Sequence, residues 1–363
     1  MKINSIQYLR AIAAILVVYC HAIDIQKLFG ISEQQHFYFL QNFGAIGVDI
    51  FFIISGFIIS YVSFNMEGKD GGALFLKKRL LRINPSYYLV SILVLLLNYF
   101  SKTNYSFPKE QAIKTFTILP IFETGYVFTY PIIVVGWTLA FEWLFYLFFV
   151  VLIFLKIRKR AIALVLIISA LTLLSFLPGK NIQLTFISNP ILWEFCFGVL
   201  IAMLYKYCNI GKGIAWLFLA TGIFCYLLLI YFGYSGVSEA TYILAGRYTW
   251  LRVGIWGIPS AILVIGFLYL EKSKAISFNN RTMLFLGDAS FAIYLVHPRS
   301  LEWLYDTIKK FPALLHFLSM DVFVILLVTL STLIGIVYYS VVEKRLNKYF
   351  TGLLKSKQNS KLQ

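Results

Sequence analysis

Apolar runs broken by short polar or basic stretches recur along the whole chain, at 8–25, 46–64, 81–99, 132–155, 161–177, 191–205, 214–233, 253–270, 283–301 and 320–340. Most are close to the ~20 residues that a helix needs to cross a bilayer. They lack a strong period of two, and backbone polar groups in lipid must pair within the segment, so the pattern predicts helices. Two runs are unusual. The run at 191–205 is short and contains Glu194, while 283–301 carries Asp288, His297 and Arg299. Such helices are tolerated when their polar positions face protein rather than lipid. The longest connection, about 100–131, is expected to hold only a short surface helix near 108–118.

Composition supports this pattern. Of 363 residues, 60% are apolar and only 13% charged, against the ~45–50% and ~25% usual for soluble domains. The 34 Phe, 24 Tyr and 7 Trp exclude a disordered chain, and four cysteines exclude a disulfide-built one. Cys20, Cys196, Cys208 and Cys225 lack metal-type spacing, and packing is their expected role. The net charge of +16 would suggest nucleic acid in a soluble protein. Here the basic residues sit between apolar runs, where they anchor a membrane protein to anionic lipid, so no nucleic-acid partner is expected. With ten helices, roughly twice as many lysines and arginines fall on the side of the N-terminus as on the other. That bias predicts both termini in the cytoplasm. The first run bears Arg10 and His21 and is followed by Asp24, Ile25 and Gln26 rather than a cleavage site, so it reads as a retained helix. The expected fold is an all-α polytopic membrane protein, a bundle of about ten transmembrane helices spanning residues 1–349. Residues 350–363 read as a basic cytoplasmic tail without fixed structure.

The chemistry must then lie at polar residues inside the bundle. Arg10 and His21 are eleven residues apart on the first helix, which puts them on one face and ~16 Å apart along the axis. Asp49 enters from the outside on the second helix, at the depth of His21. It reads either as the carboxylate that orients the imidazole or as a charge favoured at its own helix N-terminus. Glu142 is the deepest carboxylate and needs a partner, with Arg10, Arg79, Arg82 or a substrate group as candidates. His297 approaches the outer side from within and joins His21 and Asp49 at one depth. Two histidines and an aspartate lack the spacing of a metal site, and no metal is expected. At the opposite end, Arg79 and Arg82 lie three apart on one helical face. They read as ordinary cytoplasmic anchors or as paired donors for phosphate.

These residues fall in motifs that resemble the membrane acyltransferases of the acyltransferase-3 type. The matching pieces are Leu9-Arg10 through His21, Gly47-Val48-Asp49-Ile50-Phe51-Phe52 with Ser55-Gly56-Phe57, and Lys78-Arg79-Leu80-Leu81-Arg82-Ile83-Asn84-Pro85. Trp137-Thr138-Leu139 with Glu142 and Phe145-Tyr146, the stretch from Ser290 to His297, and Glu343 complete the set in the family's order. The opening Ser5 to Ala14 looks most like members attached to exopolysaccharide production and O-acetylation. Ala11 stands where many relatives have Gly, and Glu343-Lys344-Arg345 lacks a common proline. No hydrolase-like domain follows the helices, so transfer is expected within the bundle or with a separate partner.

The resemblance implies a cytoplasmic acyl-CoA donor, often acetyl-CoA, and a hydroxyl on an extracytoplasmic or lipid-linked glycan as acceptor. It gives weight to Arg10, Arg79, Arg82 and His21. The expected mechanism has the three arginines on the coenzyme A phosphates, His21 as general base, Asp49 as its orienter, and Glu142 and His297 in support. No permanently bound cofactor is expected, and the location implied is the bacterial inner membrane. Two other readings fit the intramembrane charges: a glycan or lipid-linked sugar transporter, and a non-catalytic subunit of a polysaccharide assembly complex. A lone bundle, a homodimer and a complex with assembly proteins all remain open at this stage.

Overall fold

The computed structural model describes residues 3–29, 42–100, 107–120, 130–233, 237–311 and 319–359, and every regular element among them is helical. The first half holds α1 (Asn4–Lys27), α2 (Ile46–Val62), α3 (Gly68–Phe100), the short α4 (Lys109–Thr117), α5 (Trp137–Phe154) and α6 (Arg160–Leu173). The second half holds α7 (Ile182–Ile187), α8 (Leu192–Tyr207), α9 (Lys212–Tyr231), α10 (Ala240–Leu244), α11 (Thr249–Arg252), α12 (Ile258–Lys272) and α13 (Arg281–Ile308). It closes with α14 (Met320–Tyr338) and α15 (Lys344–Asn359). Eight helical stretches among the described residues are long and apolar enough to cross a membrane, with a shorter apolar one at Arg160–Phe176. α13 is 28 residues long but is punctuated by Asp288, His297, Arg299, Glu302 and Asp306, so it is not among the eight. Each of the ten apolar runs falls on a helix, and α4 occupies the expected place in the long connection. The chain is an all-α, multi-pass membrane protein.

One expectation is corrected at the C-terminus. The irregular tail expected over 350–363 is helical through Asn359, because α15 continues from α14 through a π-helical turn at Tyr339–Glu343. Residues 360–363 lie outside the described residues. α15 has one apolar face, and its Phe350 and Leu354 turn inward against a cavity while Lys344 and Arg345 are exposed.

α1 is the axis of the bundle and packs against α13, α2, α14 and α12. Its alanines make this feasible, since Ala11, Ala13 and Ala14 are fully buried and let neighbouring backbones close in. Its first turn is fixed by a carboxylate from another helix. Glu271 of α12 accepts from the backbone N–H of Asn4 (2.9 Å) and Ser5 (2.8 Å), groups that a helix N-terminus otherwise leaves unpaired. On α13, Gly287 lies directly on the Gln7 carbonyl, where any side chain would collide with backbone. The α2–α8 pair depends on the same device: a Cβ on Gly56 would strike the Phe195 carbonyl, and one on Gly198 the Ile53 carbonyl. These approaches fix α2, α8, α1 and α13 in register and place the polar residues of α1, α2 and α13 around common cavities.

Candidate functional site: a string of cavities along the first helix

Three cavities follow α1 from one end to the other. The first, about 520 Å³, lies where α1, α3, α13 and α15 meet, and its lining includes Arg10, Lys78, Arg82, Asp288 and Glu343. The second, about 110 Å³, is lined by Arg10, Arg79, Arg82, Ser55, Glu142 and Tyr146 among others. Arg10, Arg82 and Phe291 belong to both linings, so the two spaces adjoin. The third, about 160 Å³, holds His21, Asp24, Tyr130, Ser238 and Glu239, and it shares Val48 and Tyr294 with the second.

At the arginine end the fold gathers residues from α1, α3, α5 and α13, together with the π-helical turn. Arg10 donates through Nε to the Ser290 hydroxyl of α13 at 3.1 Å. Arg79 lies 5.7 Å from the ring centres of both Phe75 and Tyr146, so its planar cation is held by aromatic faces. Arg82 is exposed at the rim. α3 runs through Pro85, which has no N–H to donate to the preceding turn, one turn beyond the two arginines. Glu343 of the π-helical turn is 4% exposed and faces the first cavity. Turns of this kind frequently mark functional sites.

Glu142 sits in the second cavity with Arg10, Arg79 and Arg82, as expected of a deep carboxylate. Its hydrogen bonds come from hydroxyls: Ser55 donates to Oε1 at 2.6 Å and Tyr146 donates to the same oxygen. The cavity lining therefore combines a carboxylate fixed by α2 and α5 with guanidinium groups from α1 and α3.

At the histidine end the expected pairing is revised. His21 and His297 do come together, with ring centres 5.2 Å apart. Asp49 does not join them. It is fully buried in a two-point ion pair with Arg252, whose Nη2 and Nε lie 2.7 and 3.0 Å from its two oxygens. Arg252 also donates to the carbonyls of Val237, Ser238 and Ala45 and stacks over Trp256. The carboxylate near His21 is Asp24, three residues further along the same helix, at 3.6 Å from Nδ1. His21 is 40% exposed toward its cavity. His297 is fully buried, and its Nδ1 lies 2.7 Å from the Tyr294 carbonyl. A carbonyl only accepts, so Nδ1 carries a proton, and in the neutral form of the ring Nε2 is the acceptor. That Nε2 has no hydrogen-bond partner among the described residues. Tyr130, on the connection before α5, completes this end. Burial, with the Glu239 charge adding, pushes its phenol above the usual range, so it remains a donor at neutral pH.

Sequence reasoning missed Arg252, Asp24 and Tyr294. Arg252 directly precedes an apolar run and could have been read as an intramembrane cation in need of a carboxylate. Tyr294 carried no signal of its own.

Fold and site together define a multi-pass membrane protein with a series of polar cavities within its helical core. The chain belongs to the acyltransferase-3 family, whose acyltransferase domain matches residues 3–341, and it is a membrane acyltransferase. It is 28% identical over 288 residues to the exopolysaccharide production protein ExoZ of Rhizobium meliloti (strain 1021), covering 74% of this chain and 80% of that one. It is 31% identical over 322 residues to nodulation protein 10 of Rhizobium leguminosarum bv. viciae, covering 81% and 82% respectively. No solved structure matches the chain.

Proposed function

We propose that the protein transfers an acetyl group from acetyl-CoA to a hydroxyl of an extracytoplasmic or lipid-linked polysaccharide, in the bacterial inner membrane with both termini in the cytoplasm. The observation that carries this reading is the series of adjoining cavities that links Arg10, Arg79 and Arg82 to His21 along one helix. The resemblance to a protein named for exopolysaccharide production supports the acceptor class.

In this reading the coenzyme A phosphates rest on Arg10, Arg79 and Arg82, which offer charge-assisted, paired donors. Lys78 adds charge at the mouth. The pantetheine arm extends through the second cavity and presents the thioester toward His21. The acceptor hydroxyl approaches from the third cavity. His21 takes its proton as the oxygen attacks the thioester carbon; the C–O bond forms, the C–S bond breaks, and the proton passes to the departing thiolate. Asp24 takes the place expected of Asp49: its charge, 3.6 Å away, stabilises the imidazolium as it forms. Glu142, fixed by two hydroxyls, holds the arginines in place electrostatically. His297 lies beside His21 as a neutral acceptor.

Radiolabel transfer from acetyl-CoA tests the proposal, in membranes with matched levels of wild type and His21→Ala and with candidate glycan supplied. Label entering the glycan with wild type alone is the expected result. Wild-type rates in His21→Ala would remove His21 from the mechanism.

A further inference from the structure

The second and third cavities are separated by two side chains that belong to both linings, Val48 of α2 and Tyr294 of α13. Both are buried, at 8% and 7% exposure. The Tyr294 ring packs at an angle against the rings of Phe51 (5.7 Å) and His297 (5.8 Å). Its hydroxyl lies 3.0 Å from the Thr138 hydroxyl and 3.4 Å from the Val135 carbonyl. Thr138 directs its own proton to that same carbonyl at 2.9 Å, so the Tyr294–Thr138 bond takes its proton from the tyrosine. The ring is thus held by two aromatic contacts and latched at its tip.

We infer that Tyr294, with Val48, is the specificity-determining septum of the transfer: it limits the acyl group to a very short one. The inference rests on the donor reading above. A thioester delivered from the arginine end must place its carbonyl carbon at the septum to meet a hydroxyl activated by His21. The atoms beyond that carbon then lie against Val48 and the latched ring. A methyl group needs only a small recess there. A longer chain needs the ring displaced from two aromatic contacts and a hydrogen bond, and well-packed interiors resist such displacement.

The test is acyl-chain selectivity, measured as kcat/KM for acetyl-, butyryl- and hexanoyl-CoA with one acceptor, in wild type, Tyr294→Ala, Tyr294→Phe and Val48→Ala. Tyr294→Ala is expected to raise the butyryl-to-acetyl ratio by about tenfold or more, consistent with the discrimination that one or two methylenes provide in an apolar pocket. Val48→Ala opens the septum from the other side and is expected to shift the ratio in the same direction by less, so the inference stays testable if Tyr294→Ala does not fold. Tyr294→Phe keeps the ring and is expected to keep the wild-type preference. Acetyl transfer with an unchanged ratio in both alanine variants overturns the septum while leaving the donor reading intact. A ratio raised as much in Tyr294→Phe as in Tyr294→Ala also overturns it, because the hydroxyl rather than the ring would then set the preference.

Discussion

Asp49 and Arg252 illustrate what a single residue's partner decides. A carboxylate at the depth of His21 invites assignment as its orienter, yet Asp49 is engaged at two points by a guanidinium 203 residues away. Glu194, itself fully buried, lies beside Asp49 in the same cluster. Breaking a buried pair by removing one partner costs about 3–5 kcal/mol, because the other charge is left uncompensated. Arg252→Ala is therefore expected to lower the thermal midpoint in detergent markedly, and Asp49→Asn to lower it by less while the folded fraction keeps near wild-type turnover. Lost turnover in Asp49→Asn at an unchanged midpoint would return Asp49 to the role of orienter. The charged residues were legible in the sequence because an ionisable group inside an apolar run is costly and stands out. Their partners were not, because rotation of each helix about its axis is set by packing between distant segments. Arg10, Arg79, Arg82 and Glu142 converge as expected, and His21 meets His297, but which carboxylate serves which cation depended on that packing.

At the scale of elements, the close approaches of α1 with α13 and of α2 with α8 decide whether the cavities exist. Length and hydropathy made the helices readable one by one, down to α4 in the longest connection. Gly44, Gly47 and Gly56 each lie against a neighbouring backbone carbonyl, of Leu16, Ala13 and Phe195 respectively, and Gly198 lies against that of Ile53. Gly56→Ala forces a side chain into a backbone carbonyl, and overpacking of this kind costs about 1–3 kcal/mol. Its thermal midpoint should fall, and a midpoint equal to wild type would show that α2 and α8 can separate without penalty. The π-helical turn at Tyr339–Glu343 and the extension into α15 were not legible. An amphipathic basic stretch reads as a tail until something is seen to receive its apolar face. Here Phe350, Thr351 and Leu354 receive a place in the wall of the largest cavity described.

Across the whole molecule, the proposed reaction divides between two ends of the bundle. The arginine end should govern how donor is held, and the histidine end how fast the bond changes hands. Steady-state kinetics of acetyl transfer in Arg79→Gln, Arg82→Gln and His21→Ala, measured side by side with matched folded protein, tests that division directly. Loss of a charge-assisted contact costs ~1.5–3 kcal/mol, so each arginine variant should raise the KM for acetyl-CoA by about ten- to a hundredfold with kcat largely kept. Loss of a general base should lower kcat by about 10²–10⁴ with KM little changed. An unaltered KM in both arginine variants, or a wild-type kcat in His21→Ala, would contradict the account.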